Sequence, residues 1–65
     1  MTTIILARPK RKSPTPEWQV FGCYEGDDDR YTFAVRSFPA DAKRQAERYA
    51  RRMMANHHAD RLERR

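Results

Sequence analysis

The sequence SFPADAKRQAERYARRMM, residues 37–54, decides the fold. It is rich in Ala, Lys, Arg, Gln, Glu and Met, which are strong helix formers. Pro39 disfavours helix immediately upstream, and Asp41 and Ser37 are the candidates to cap the first turn. Apolar residues at helical spacing define one face, which consists of Ala42, Ala46, Tyr49, Ala50 and Met53. Its three alanines suit close packing against a sheet, which the rest of the chain must supply.

Two alternating runs upstream of this helix predict a β-hairpin. Residues 18–25, WQVFGCYE, and residues 30–38, RYTFAVRSF, flank a Gly/Asp-rich turn at 26–29. Side chains alternate between the two faces of a strand. The face expected beneath the helix carries Trp18, Val20, Tyr31, Phe33 and Val35. The opposite, outward face carries Gln19, Phe21, Cys23, Thr32, Ala34 and Arg36.

The remaining segments complete a single domain. Residues 1–8 are β-rich and predict a first strand, although the sequence leaves open whether it joins the sheet. Residues 9–16 form a basic, proline-rich linker, the hairpin covers 17–38, and the helix covers 40–62 with a frayed basic end. The predicted fold class is therefore α+β, with a small antiparallel sheet of two or three strands (β-β-β-α) covered on one face by a C-terminal helix.

Charge is the strongest functional signal in the composition. The chain has 14 Lys and Arg against 9 Asp and Glu, a formal net charge of +5. A small, arginine-rich chain favours an anionic partner, nucleic acid first, although a solvated basic face explains the same residues. No apolar run approaches the ~20 residues of a membrane span. We therefore expect no membrane partner and a cytoplasmic location in a bacterial cell or phage host.

Few residue patterns in the chain indicate chemistry. The acidic run 27–29 lacks the ligand spacing of a calcium loop and is better explained as a solubilising hairpin tip. His57 and His58 are adjacent, so on a helix they point about 100° apart and do not readily share a metal. Cys23 has no partner for a disulfide, and no glycine-rich phosphate loop is present. The sequence predicts no enzyme, metal site, cofactor or small-molecule substrate.

The order of strand, Gly/Asp turn, strand and alanine-rich helix over residues 18–53 resembles a known DNA-binding fold. It is similar to the three-stranded-sheet domains of plant AP2 proteins and to the arm-binding domains of phage-type integrases. The matching residues are Trp18, Gln19, Val20, Gly26–Asp29, Tyr31, Thr32, Phe33, Ser37, Phe38, Ala46, Tyr49 and Ala50. The resemblance implies that the outer sheet face lies in the major groove of duplex DNA.

Two functions follow as hypotheses. The first is a small basic nucleic-acid-binding protein, an accessory or regulatory protein of a phage or other mobile element, with duplex DNA as partner. The alternative is a phage-encoded, anti-CRISPR-like inhibitor that binds a host defence or nucleoprotein complex. An open sheet edge also permits a homodimer. The predicted contact residues are Lys10, Arg11, Lys12, Gln19, Phe21, Arg30, Thr32, Arg36, Arg44, Arg48, Arg51 and Arg52.

Overall fold

Four strands and one helix make up the chain, in a computed structural model that describes residues 1–65. The elements in order are β1 (Thr2–Ala7), β2 (Glu17–Glu25), β3 (Arg30–Pro39), α1 (Lys43–Asn56) and β4 (Arg61–Arg64). The predicted α+β class, with a helix packed on one face of the sheet, is confirmed. The sheet is four-stranded and mixed, however, where two or three antiparallel strands were predicted.

The strand order in the sheet is β3-β2-β1-β4. The pairs β3–β2 and β2–β1 are antiparallel, and β1 pairs with β4 in parallel. The first strand therefore joins the sheet and occupies an interior position. Because β3 and β4 lie at opposite edges and run in the same direction, the helix between them crosses over β2 and β1.

The core lies between α1 and the face of the sheet that we call the helix side. Its buried members are Ile4, Leu6, Trp18, Val20, Phe38, Ala46, Ala50 and Met53. Ala46 and Ala50 of the helix are fully buried, as the small-residue face predicts, and Tyr49 and Ala42 are partly buried. Burial of each large side chain stabilises the fold by roughly 1.5–3 kcal/mol, and β1 contributes two of them.

The fourth strand replaces the predicted end of the helix, which was expected to extend to residue 62. Helix α1 ends at Asn56, where the Ala59 N–H donates to the Met54 carbonyl at 3.0 Å and the His58 N–H to that of Ala55 at 3.4 Å. These are the two bonds of a Schellman motif, which turns the chain through a left-handed residue. His58 takes that conformation, with φ of 49°.

Asp60 then fixes the register of β4. Its carboxylate accepts from the Thr2 N–H at 2.7 Å, and its own N–H donates to the Thr2 carbonyl at 2.8 Å. At the other end of the strand, the Arg65 N–H donates to the Leu6 carbonyl at 2.9 Å. The residues expected to fray are therefore hydrogen-bonded along β1.

A β-bulge in β3 overturns the predicted faces of its second half. Val20 pairs with Arg36 and Gly22 with Phe33, so Ala34 and Val35 together oppose one residue of β2. Ala34 adopts a positive φ of 53°. Val35, expected beneath the helix, is 67% exposed. Arg36, expected on the outward face, lies on the helix side instead, because cross-strand partners share a face.

The spacing of two aromatic residues explains the bulge. Phe33 and Phe38 are five residues apart, so in a regular strand they would point to opposite faces. One extra residue lets both face the helix, where Phe38 is buried opposite Trp18 and Phe33 covers Gly22. Packing of two large rings therefore prevails over regular alternation.

The helix begins later than expected and without the predicted cap. Ala42 occupies the cap position, and neither Asp41 nor Ser37 caps the first turn. Trp18 ties the sheet to this end of the helix instead, since its indole N–H donates to the Ala40 carbonyl at 2.9 Å. The loop into the helix is thus held by the core rather than by a helix cap.

Candidate functional site

A shallow groove between β3 and α1 is the most distinctive surface of the molecule, and we call it the arginine groove. Its lining consists of Arg36, Phe38, Gln45, Arg48, Tyr49 and Arg52. The Arg36 guanidinium lies 5.0 Å from the centre of the Phe38 ring and 5.1 Å from that of Tyr49. The two rings are 5.5 Å apart. Stacking on both rings holds one guanidinium in place and leaves its donors available.

Local structure brings the three arginines together. The bulge turns Arg36 to the helix side, while Arg48 and Arg52 are one helical turn apart. Gln45 precedes Arg48 by three residues and so lies on the same strip of the helix. Tyr49, between the two helical arginines, packs inward, and its hydroxyl donates to the carbonyl of Ala34 in the bulge at 3.5 Å.

The groove carries uncompensated positive charge. The two ion pairs of the molecule lie elsewhere, between Arg30 and Glu25 at 3.5 Å and between Arg65 and Glu63 at 3.2 Å. No acidic side chain lines the groove. Planar guanidinium groups with free donors match phosphate and carboxylate oxygens, so the groove is suited to bind an anion.

The outward face of the sheet has a different character. It holds four of the predicted contact residues, which are Gln19, Phe21, Arg30 and Thr32. A cleft on this face is lined by both acids and bases, including the two ion pairs. With Arg36 on the other side of the sheet, this face is close to charge-balanced and offers less attraction to phosphate than expected.

The other predicted contact residues occupy two further places. Lys10, Arg11 and Lys12 are exposed in the linker between β1 and β2. Arg44 and Arg51 are exposed on the helix but outside the groove lining. The twelve residues therefore do not form one surface; three of them meet in the arginine groove.

The residues considered for metal or acid–base chemistry lie apart. No three His, Cys, Asp or Glu side chains gather in a group that could hold a metal ion. His57 stacks against Phe33 with 4.7 Å between ring centres, and Cys23 is half-buried as a free thiol. Helix α1 is too short and too polar to cross a membrane.

Sequence reasoning missed two features of the helix side. It did not include Phe38, Gln45 and Tyr49 with the arginines, and it did not recognise an aromatic cluster at the opposite end of β3. The odd spacing of Phe33 and Phe38 was an available signal for the groove, because it requires an irregularity between them, and that irregularity turns Arg36 to the helix side. The cluster comprises Tyr24, Tyr31, Phe33 and His57.

Comparisons with protein-family models, with curated protein sequences and with solved structures found no match to this chain.

Proposed function

We propose that this protein is a non-enzymatic nucleic-acid-binding protein that contacts phosphates through the arginine groove. The observation that supports this most directly is the meeting of Arg36, Arg48 and Arg52 around two aromatic rings, without any acid in the lining. A net charge of +5 adds long-range attraction for a polyanion. A role as an accessory protein of a phage or other mobile element is consistent with this activity and belongs to the same proposal.

Two models place the contact differently. The AP2-like resemblance implies the outward sheet face, whereas charge favours the arginine groove.

Replacement of Arg48 and Arg52 by Gln removes two charges from the groove, and replacement of Arg30 and Arg61 by Gln removes two from the outward face. All four arginines are exposed, and Gln is a good helix former at positions 48 and 52, so both variants should fold. They form a matched pair of equal charge.

Fluorescence anisotropy with labelled DNA at two salt concentrations tests the proposal. The wild type should bind, with affinity that falls as salt rises, because phosphate contacts release counterions. The groove variant should bind more weakly, with a salt slope reduced for two lost contacts by about 1.8 on duplex DNA or about 1.4 on a single strand. The outward-face variant should change little. Equal weakening in both variants would refute the groove as the contact site, and no binding at low salt would refute the function.

An acidic protein surface is the competing partner, since guanidinium groups also pair with carboxylates. This is the anti-CRISPR-like alternative, in which the protein occupies a host defence or nucleoprotein complex. A pull-down from host lysate with and without nuclease separates the two. Captured proteins that depend on the groove arginines and remain bound after nuclease treatment would favour the alternative. Captured proteins that are lost after nuclease treatment would favour nucleic-acid binding.

A further inference from the structure

We infer that the nucleic acid at the arginine groove is single-stranded and that its bases stack on the aromatic cluster at the other end of β3. This inference rests on the proposed function and specifies its ligand. The arginine groove would hold phosphates, and the aromatic cluster would hold base faces. The two features lie on the same side of the same edge strand.

The strand register places the aromatic cluster and Arg36 of the arginine groove on one face of the sheet. Tyr31 pairs with Tyr24, Phe33 with Gly22 and Arg36 with Val20, and these β2 residues all belong to the helix side. Without the bulge, Phe33 and Arg36 would point to opposite faces. With it, the strip runs from Tyr31 to Arg36 alongside four residue steps of β2, roughly 13 Å at about 3.3 Å per strand residue. That length accommodates a short run of nucleotides.

The aromatic rings form a connected series in which Tyr31 is exposed. Ring centres are 5.2 Å apart for Tyr24 and Tyr31, and 6.1 Å apart for Tyr31 and Phe33. Tyr31 is 55% exposed although its ring is next to two others. The same rings, with Thr2 and His57, line a shallow pocket. An exposed aromatic beside a pocket is the arrangement on which unpaired bases stack.

Intact duplex DNA offers these rings few base faces. Its bases are stacked on one another, so their faces are covered, whereas a single strand can offer each base to an aromatic side chain. The acidic tip at residues 27–29 lies directly beyond Tyr31 and repels phosphate. A single strand can stack a base on Tyr31 and direct the attached phosphate back toward Arg36, away from the acidic tip. A duplex that lies along β3 would bring its phosphates close to the tip.

Anisotropy titrations of the whole chain test the inference. The probes are a labelled oligothymidine of about 12 nucleotides and a duplex of the same length, at one low salt concentration. The wild type should bind the oligothymidine more tightly. Tyr31→Ala should weaken oligothymidine binding by about 5- to 100-fold and leave duplex binding unchanged. Tyr31→Phe keeps the ring and should bind as the wild type does. Circular dichroism confirms that each variant is folded.

The outcomes separate this inference from the function on which it depends. Duplex binding as tight as oligothymidine binding, or an unchanged oligothymidine affinity in Tyr31→Ala, overturns the single-strand preference and leaves the phosphate groove standing. Loss of oligothymidine binding in Tyr31→Phe as well would assign the effect to the hydroxyl, which also overturns stacking. Absence of binding to either probe refutes nucleic-acid binding itself.

Discussion

Replacement of Gly22 by Ala should destabilise the protein through one ring. A Cβ atom at this position would lie 2.3 Å from Cζ of Phe33, 2.4 Å from Cε2 and 2.7 Å from Cε1. Carbon atoms in contact prefer about 3.5–4.0 Å, so the ring must move by roughly 1 Å or more. Phe33 also contacts His57 at 4.7 Å between ring centres, and displacement disturbs that contact.

The magnitude follows from the cost of overpacking, which is about 1–3 kcal/mol for an added methyl in a well-packed site. Each kcal/mol shifts the melting temperature of a domain this size by about 4–8 °C. We therefore expect Gly22→Ala to melt roughly 5–20 °C below the wild type, by far-UV circular dichroism. Gly26→Ala is the matched control. Its nearest neighbours are the outer atoms of the partly exposed Tyr24 side chain, with the hydroxyl oxygen at 2.9 Å, Cε1 at 3.1 Å and Cζ at 3.3 Å, so a smaller shift relieves the contact and its Tm should fall by much less.

A double-mutant cycle identifies the ring as the cause. Phe33→Leu alone removes packing and destabilises the protein, but in combination with Gly22→Ala it also removes the clash. The double variant should be more stable than the sum of the two single changes predicts, by about 1 kcal/mol or more. Two results would show that Phe33 does not lie over Gly22: additive free-energy changes in the double variant, or a Gly22→Ala variant with the same melting temperature as the wild type. Either result would also refute the explanation of the bulge.

The remaining predictions concern the core, the helix end and the indole hydrogen bond. Val20 is 0% exposed and Val35 is 67% exposed, so Val20→Ala should lower the free energy of unfolding in urea by about 2 kcal/mol and Val35→Ala by less than about 0.5 kcal/mol. His58→Gly should raise the melting temperature by several degrees, because glycine adopts the left-handed conformation at about 1 kcal/mol less cost. Trp18→Phe should cost about 1 kcal/mol or more in urea unfolding, because the Ala40 carbonyl loses its donor at 2.9 Å and the smaller ring fills less of the core; an unchanged midpoint would contradict both contacts.

Local periodicity was sufficient to predict the helix and the hairpin. Ala46 and Ala50 of the helix are buried as expected, and Tyr31 and Phe33 lie on the predicted face of β3, although Tyr31 was expected beneath the helix and is 55% exposed. These elements are defined by neighbouring residues, so their pattern is visible in the sequence. The Gly/Asp segment at 26–29 likewise connects β2 and β3.

The fourth strand depends on a distant contact and was missed. Asp60 bonds to Thr2, 58 residues away in sequence. The strand itself has four residues with one apolar side chain, Leu62, and so lacks the alternation of a half-buried strand. The preceding left-handed turn is made by His58, where glycine or asparagine is the usual signal. Nothing local distinguishes this segment from a fraying helix.

The bulge links the fold to the candidate site. Regular alternation would bury Val35 and expose one of the two phenylalanines, and it would leave Arg36 on the charge-balanced outward face. The observed arrangement instead exposes Val35 and places Ala34 in a left-handed conformation, both at a cost in stability. Burial of Phe38 offsets part of that cost.

Arg36 gains its position from the same irregularity. The extra residue brings its guanidinium over Phe38 and Tyr49 and next to Arg48 and Arg52, so the packing of a hydrophobic core concentrates positive charge on the helix side. On the outward face, two arginines are instead paired with glutamates. A surface that binds a polyanion should therefore follow β3 on the helix side, because Arg36, which has no acidic partner, and the exposed ring of Tyr31 lie there on one strand, next to Arg48 and Arg52 of the helix.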